Sequence, residues 1–81
     1  MYYVYVIKSQ KKDVFYKGYT NNILRRLSEH NNNKTASIKH LAPFKLIHVE
    51  ICVSLGDAIK LEKFFKSGFG REIIQEINSA T

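Results

Sequence analysis

The sequence predicts an α+β fold: a small three-stranded antiparallel sheet flanked by helices, in the order β-β-α-β-α-α. Three observations predict it. Two β-branched and aromatic stretches, residues 2–7 and 14–19, are joined by a short polar connector, as in an antiparallel hairpin. Capped stretches with apolar residues at helical spacing stand on either side of a third β-type run, residues 44–53. Ten aromatic residues (five Tyr and five Phe) and 44% apolar content in 81 residues suit one thin core, so a single domain over residues 1–81 is expected.

The elements follow in order. Residues 2–7 are apolar on both faces, as in a central strand. Residues 10–13 tolerate a turn, and residues 14–19 form the second strand. Gly18 inside that strand marks a bulge or a close approach to the backbone. Thr20, Asn21 and Asn22 supply N-cap chemistry for a helix over residues 22–30. On it Ile23, Leu24 and Leu27 share one side, Arg25, Ser28 and Glu29 point away, and Arg26 and His30 share a ridge at the border of the apolar stripe.

Asn31, Asn32, Asn33 and Lys34 end that helix. A polar surface loop then reaches the only proline, Pro43, with a short helical piece at residues 38–41. In the third strand Ile47, Val49 and Ile51 alternate imperfectly with Lys45, His48 and Glu50. Ser54 and Asp57 fit a capping box for a helix from about Leu55 to Ser67 and Gly68. Residues 71–77 close the chain as a short helix with Ile73, Ile74 and Ile77 inward.

Charge narrows the function. Residues 1–45 carry nine Lys/Arg against two acids, and residues 46–81 carry four against five. A basic half of this kind suits a polyanion such as nucleic acid, although modest positive charge also serves solubility. The lone Cys52 sits in an apolar run, reads as a small buried hydrophobe and excludes an intramolecular disulfide. No signal peptide or membrane-length apolar run is seen, so a soluble cytoplasmic protein without membrane partners is expected.

Three groups of residues could carry chemistry. Glu62 falls inside the apolar arc of Leu55, Ala58, Ile59, Leu61, Phe64 and Phe65. A carboxylate there needs a cation, either a metal or Lys66 four residues on. Tyr5 and Tyr16 stand mid-strand, where tyrosine serves packing as well as chemistry. Arg26 suits phosphate through its planar, permanently charged fork, and His30 one turn later is either a site residue or part of a solvated border.

Taken together these residues resemble the GIY-YIG nuclease superfamily. Tyr3-Val4-Tyr5 stands where GIY is expected and Tyr16-Lys17-Gly18 where YIG is expected, followed by Arg26, His30 and Glu62 at matching places. The resemblance runs from Tyr3 to about Ile77, and the sequence from Lys66 to Arg71 looks like the ending of small stand-alone bacterial members. Those members are related to the N-terminal nuclease domain of the UvrC repair endonuclease. Tyr3 replaces the first glycine and Lys17 the isoleucine. Strand alternation turns Lys17 to the face opposite its neighbours.

The resemblance implies a metal-dependent endonuclease that hydrolyses DNA phosphodiester bonds, structure-selective or non-specific, linked to repair or recombination. Glu62 would hold one Mg²⁺ or Mn²⁺. Tyr16 would act as general base with Tyr5 orienting water or phosphate, His30 being the alternative base. Arg26 would stabilise the transition-state charge. Gly18 would let a phosphate approach the sheet. Lys17, Lys34, Lys39, His40, Lys45 and Lys66 would contact the nucleic-acid backbone. RNA remains an alternative substrate, a repair protein an additional partner, and monomer or weak dimer the expected state. Two rival readings are a nucleic-acid binder without catalysis, and an adaptor presenting an apolar patch around Phe64 or Phe69.

Overall fold

The computed structural model describes residues 1–32 and 38–80. Strand β1 (Tyr2–Ser9) is central, with β2 (Phe15–Thr20) on one side and β3 (Phe44–Cys52) on the other, both antiparallel to it. The helices are α1 (Ile23–Asn31), α2 (Leu55–Lys66) and α3 (Gly68–Ala80), with a 3₁₀ turn at Lys39–Leu41. The order β-β-α-β-α-α is the one the sequence predicts. The expected contact Lys34 lies outside the described residues.

Because side chains alternate along a strand, β1 feeds a core on each face of the sheet. Val4 and Val6 pack with Cys52, Ala58, Phe65 and Ile74 under α2 and α3. Tyr5 and Ile7 pack with Leu41, Phe44, Ile23 and Leu27 under α1 and the 3₁₀ turn. Burying one such large apolar side chain contributes about 1.5–3 kcal/mol. The register between β1 and β3 shifts between Val6 and Ile7, which face His48 and Leu46. Ile47 is the extra residue of that bulge, which explains the imperfect alternation read from β3.

The caps place the helices. Asn22 accepts a hydrogen bond from the Arg25 backbone N–H through its side chain, and Ser54 does the same for Asp57. Helix α3 starts three residues earlier than the sequence suggests, because Ser67 Oγ accepts from the Gly70 N–H. Gly70 is buried there, and a β-carbon on it would stand 2.7 Å from Phe65 Cα and collide with the Phe64 backbone. The glycine lets α3 pass directly against the end of α2. Buried Ser9 ties the hairpin turn down, donating to the Leu41 carbonyl and accepting from the N–H groups of Lys11 and Lys12.

Candidate active site at the edge of the sheet

The β1–β2 register builds the site. Tyr5 faces Gly18 and Ile7 faces Tyr16, so the two tyrosines are diagonal neighbours on one face of the sheet. Their ring centroids lie 6.4 Å apart. Helix α1 closes over them. With Ile23 and Leu27 docked on the sheet, helical periodicity brings His30 to the same face. His30 is fully buried, not part of a solvated border. Leu24, expected inward, is instead 79% exposed, a quarter-turn beyond the docked stripe.

The Tyr5 hydroxyl and His30 Nε2 share a buried hydrogen bond of 2.9 Å. The His30 ring also meets Tyr16 and Phe44 at centroid distances of 5.1 and 5.9 Å. Burial pushes the Tyr5 hydroxyl above the usual phenol range. Arg26 opposes that shift, while Tyr16 and Glu62 add to it. Burial and the Arg26 charge hold His30 below the usual imidazole range, against a smaller pull from Glu29. At neutral pH the pair is therefore a neutral phenol on a neutral imidazole.

Arg26 stands at the mouth of this cluster. Burial works against its charge, but Tyr5, Glu29 and Tyr16 outweigh that and raise its pKa. Its Nη1 donates to Glu29 Oε1 at 3.1 Å. The sequence reading turned Glu29 away from the site, although the i,i+3 spacing from Arg26 was the available signal. The carboxylate and the Tyr5 hydroxyl, to which the guanidinium also hydrogen-bonds, hold it in place.

Gly18 shows the close approach that its position in the strand suggests, and the approaching group is Tyr5. A β-carbon there would stand 2.6 Å from the Tyr5 hydroxyl oxygen and 2.8 Å from Tyr5 Cζ. The space is filled by the Tyr5 phenol itself, so Gly18 admits the tyrosine.

Helix α2 carries Glu62 within electrostatic reach of the Tyr5 hydroxyl. Its side chain is 16% exposed, close enough to raise the Tyr5 pKa, and Lys66 Nζ lies 3.2 Å from Oε1. Of the two sequence readings of Glu62, the pairing with Lys66 is the one seen in the structure. No group of three or more His, Cys, Asp or Glu is placed to hold a metal among the described residues. A single carboxylate still suits a hard divalent cation that keeps several waters and takes phosphate oxygens as further ligands. Lys66 must then give way, and an i,i+4 pair on a helix is worth only about 0.2–0.5 kcal/mol.

The other basic residues line several pockets. Lys39 lines a pocket with Lys11 and Asn31, and Lys45 lines another with Lys8 and Asn78. Lys17, as alternation predicts, turns to the α3 side of the sheet. His40 is exposed on the 3₁₀ turn. No helix among the described residues is long and apolar enough to cross a membrane.

Comparison with known proteins agrees with this architecture. A family model described as the GIY-YIG catalytic domain matches residues 1–78. The chain is 38% identical over 77 residues to a UPF0213 protein of Syntrophus aciditrophicus, covering 93% of this chain and 87% of that one. It is 32% identical over 80 residues to a UPF0213 protein of Clostridium perfringens, covering 98% and 85%. The solution NMR structure of a UPF0213 protein from Bacillus halodurans superposes with a TM-score of 0.57 at 27% identity, covering 95% of this chain and 85% of that one.

Proposed function

The chain belongs to the GIY-YIG catalytic domain family, whose function is of nuclease type, and from that premise we propose that it is a metal-dependent endonuclease acting on DNA. The cut is structure-selective or without sequence preference, and repair or recombination is the process it would serve. The observation that supports this reading is the electrostatic coupling of one buried phenol, Tyr5, to Tyr16, Arg26 and Glu62, the four residues standing on four separate elements.

The roles follow from exposure and charge. Tyr16 is the half-buried phenol and takes the proton of the attacking water. Tyr5 is 1% exposed and pinned by His30, so the pair positions Tyr16 and Arg26 and does not itself exchange protons with solvent. The burial of His30 argues for this supporting role over that of a general base. Arg26, held by Glu29, meets the negative charge that gathers on the phosphate in the transition state. Glu62 would hold Mg²⁺ or Mn²⁺, which supplies charge stabilisation to the phosphate and leaving oxygen when bound. Lys39, His40, Lys45 and Lys66 would take backbone phosphates, RNA being the alternative ligand for the same contacts.

The test is nicking of duplex, flapped and branched DNA with Mg²⁺ or Mn²⁺. Glu62→Ala and Arg26→Ala are expected to abolish cutting with circular dichroism unchanged. Tyr16→Phe should cost about 10²–10⁴-fold, the usual scale for loss of acid–base help. Absence of cutting by the wild type on every substrate would overturn the enzyme reading. The Glu62–Lys66 ion pair favours a second reading, a nucleic-acid binder whose carboxylate is neutralised from within. In that case Glu62→Ala leaves DNA affinity unchanged and Lys→Ala changes lower it. An adaptor would instead use the exposed pair Phe64 and Phe69, whose rings are 5.9 Å apart, and would show little affinity for DNA.

A further inference from the structure

On the far side of β2 from Tyr16 lies a second, smaller feature that the cutting reaction does not use. Phe15 and Lys17 project from β2, and Arg71, Ile74 and Gln75 from one face of α3, around a pocket of about 130 Å³. That is room for about four waters at their liquid volume, hence for one tetrahedral phosphate. Phe15 and buried Ile74 give it an apolar floor, while Lys17, Arg71 and Gln75 bring only hydrogen-bond donors and one amide oxygen.

The charge here is unbalanced. Among the described residues the ion pairs are Lys8–Asp13, Arg26–Glu29, His48–Glu50 and Lys66–Glu62, so neither Lys17 nor Arg71 has an acidic partner. Burial lowers the Lys17 pKa, and the like charges of Arg71 and Lys66 lower it further. A half-buried lysine crowded by two cations is unfavourable in isolation and is relieved by an anion.

We propose that Lys17, Arg71 and Gln75 form an anion site for a phosphate group, separate from the Tyr16 face. Lys17 donates as a point charge, Arg71 offers its planar fork from the first turns of α3, and Gln75 one turn later donates through its amide. The apolar floor lowers the local dielectric and strengthens each of these contacts. Tyr16 and Lys17 are chain neighbours with Cα atoms about 3.8 Å apart. The site therefore stands back to back with the tyrosine cluster across an edge strand. A nucleic-acid strand held on the Tyr16 face has its next phosphates near that edge, and a free phosphate anion presents the same chemistry.

The site does not depend on cleavage, and its test is run with all divalent metal chelated, so that failure of the nuclease reading leaves it standing. The intact chain, labelled with ¹⁵N, is titrated with inorganic phosphate, with a 5′-phosphorylated oligothymidylate and with its 5′-hydroxyl counterpart. Chemical-shift changes at Lys17, Arg71 and Gln75 with either phosphate probe support the proposal. Changes with the oligonucleotides alone assign the site to a strand phosphate, and changes with inorganic phosphate as well assign it to phosphate as such. Lys17→Met and Arg71→Gln are each expected to weaken binding of the responding probe about tenfold or more, the scale of one charge-assisted hydrogen bond. No shift at these three residues with any probe, measured on the wild type and so free of folding effects, overturns the proposal. Unchanged affinity in both variants overturns it equally.

Discussion

The Tyr5 phenol occupies the volume that a side chain at Gly18 would need, with 2.6 Å between the Tyr5 hydroxyl oxygen and the position of a β-carbon. Site and core are coupled through this one contact. Gly18→Ala should push the Tyr5 ring against His30 and Arg26, and overpacking of this kind costs about 1–3 kcal/mol. Urea denaturation should show a lower midpoint at unchanged slope, with DNA cutting reduced further than the lost stability explains. An unaltered midpoint would mean that the ring has room to move.

The Glu62–Lys66 pair makes metal and lysine competitors for one carboxylate. Lys66→Met is expected to tighten Mn²⁺ binding by up to about twofold, because removing a pair worth about 0.2–0.5 kcal/mol frees the ligand. Glu62→Gln should abolish it. Calorimetric titration of Mn²⁺ reads both, and weaker binding by Lys66→Met would exclude Glu62 as the ligand.

His30 gives stability a pH dependence on the acid side. Its folded-state pKa lies below the ordinary value of 6.5 because burial, and then Arg26, disfavour the charged ring. Between the folded and unfolded values the unfolded chain binds more protons, so stability falls as pH drops through that window and is complete above it. Tyr5 acts at the other end: its raised pKa contributes stability that is lost only as pH climbs beyond the ordinary value of 10.0. Urea midpoints measured from pH 5 to 8 should rise with pH for the wild type and flatten in His30→Gln.

Gly70 and Gly68 form an internal contrast on α3. A β-carbon at Gly68 meets nothing within 4 Å, whereas one at Gly70 collides with the backbone of Phe64 and Phe65. Backbone cannot rotate away, so Gly70→Ala should destabilise by about 2 kcal/mol or more through forced separation of α2 and α3. Gly68→Ala should be neutral or stabilising by up to about 1 kcal/mol. Thermal unfolding of the two single variants decides it.

Much of the fold was legible because its signals are local. The hairpin, the Asn22 and Ser54 caps and the alternation that sends Lys17 away from Tyr16 all depend on near neighbours in sequence. Helix α3 was read too short because a glycine pair looks like a break, and only the Ser67 cap turns it into a start. The site was legible as a set of residues but not as depths. Nothing local distinguishes Arg26 at the border from His30, four residues on along the same ridge, or exposes Leu24 while burying His30. Gly18 was legible as a close approach, but that the approaching group is Tyr5 was not, because it arrives from another strand. Net charge was legible as a sum, while its division among separate pockets depends on tertiary placement.

The strand β2 has two chemically distinct sides, with Tyr16 on one and Lys17 on the other, and only the hairpin register says which is which. Strand periodicity is two, so a slip of a single residue exchanges them. Deleting or inserting one residue in the connector before β2 would leave composition and charge almost untouched, yet present a lysine to the His30 pocket and a phenol to α3. Buried Ser9, which fixes Lys11, Lys12 and the Leu41 carbonyl at once, therefore guards the handedness of the site as well as the turn it sits in.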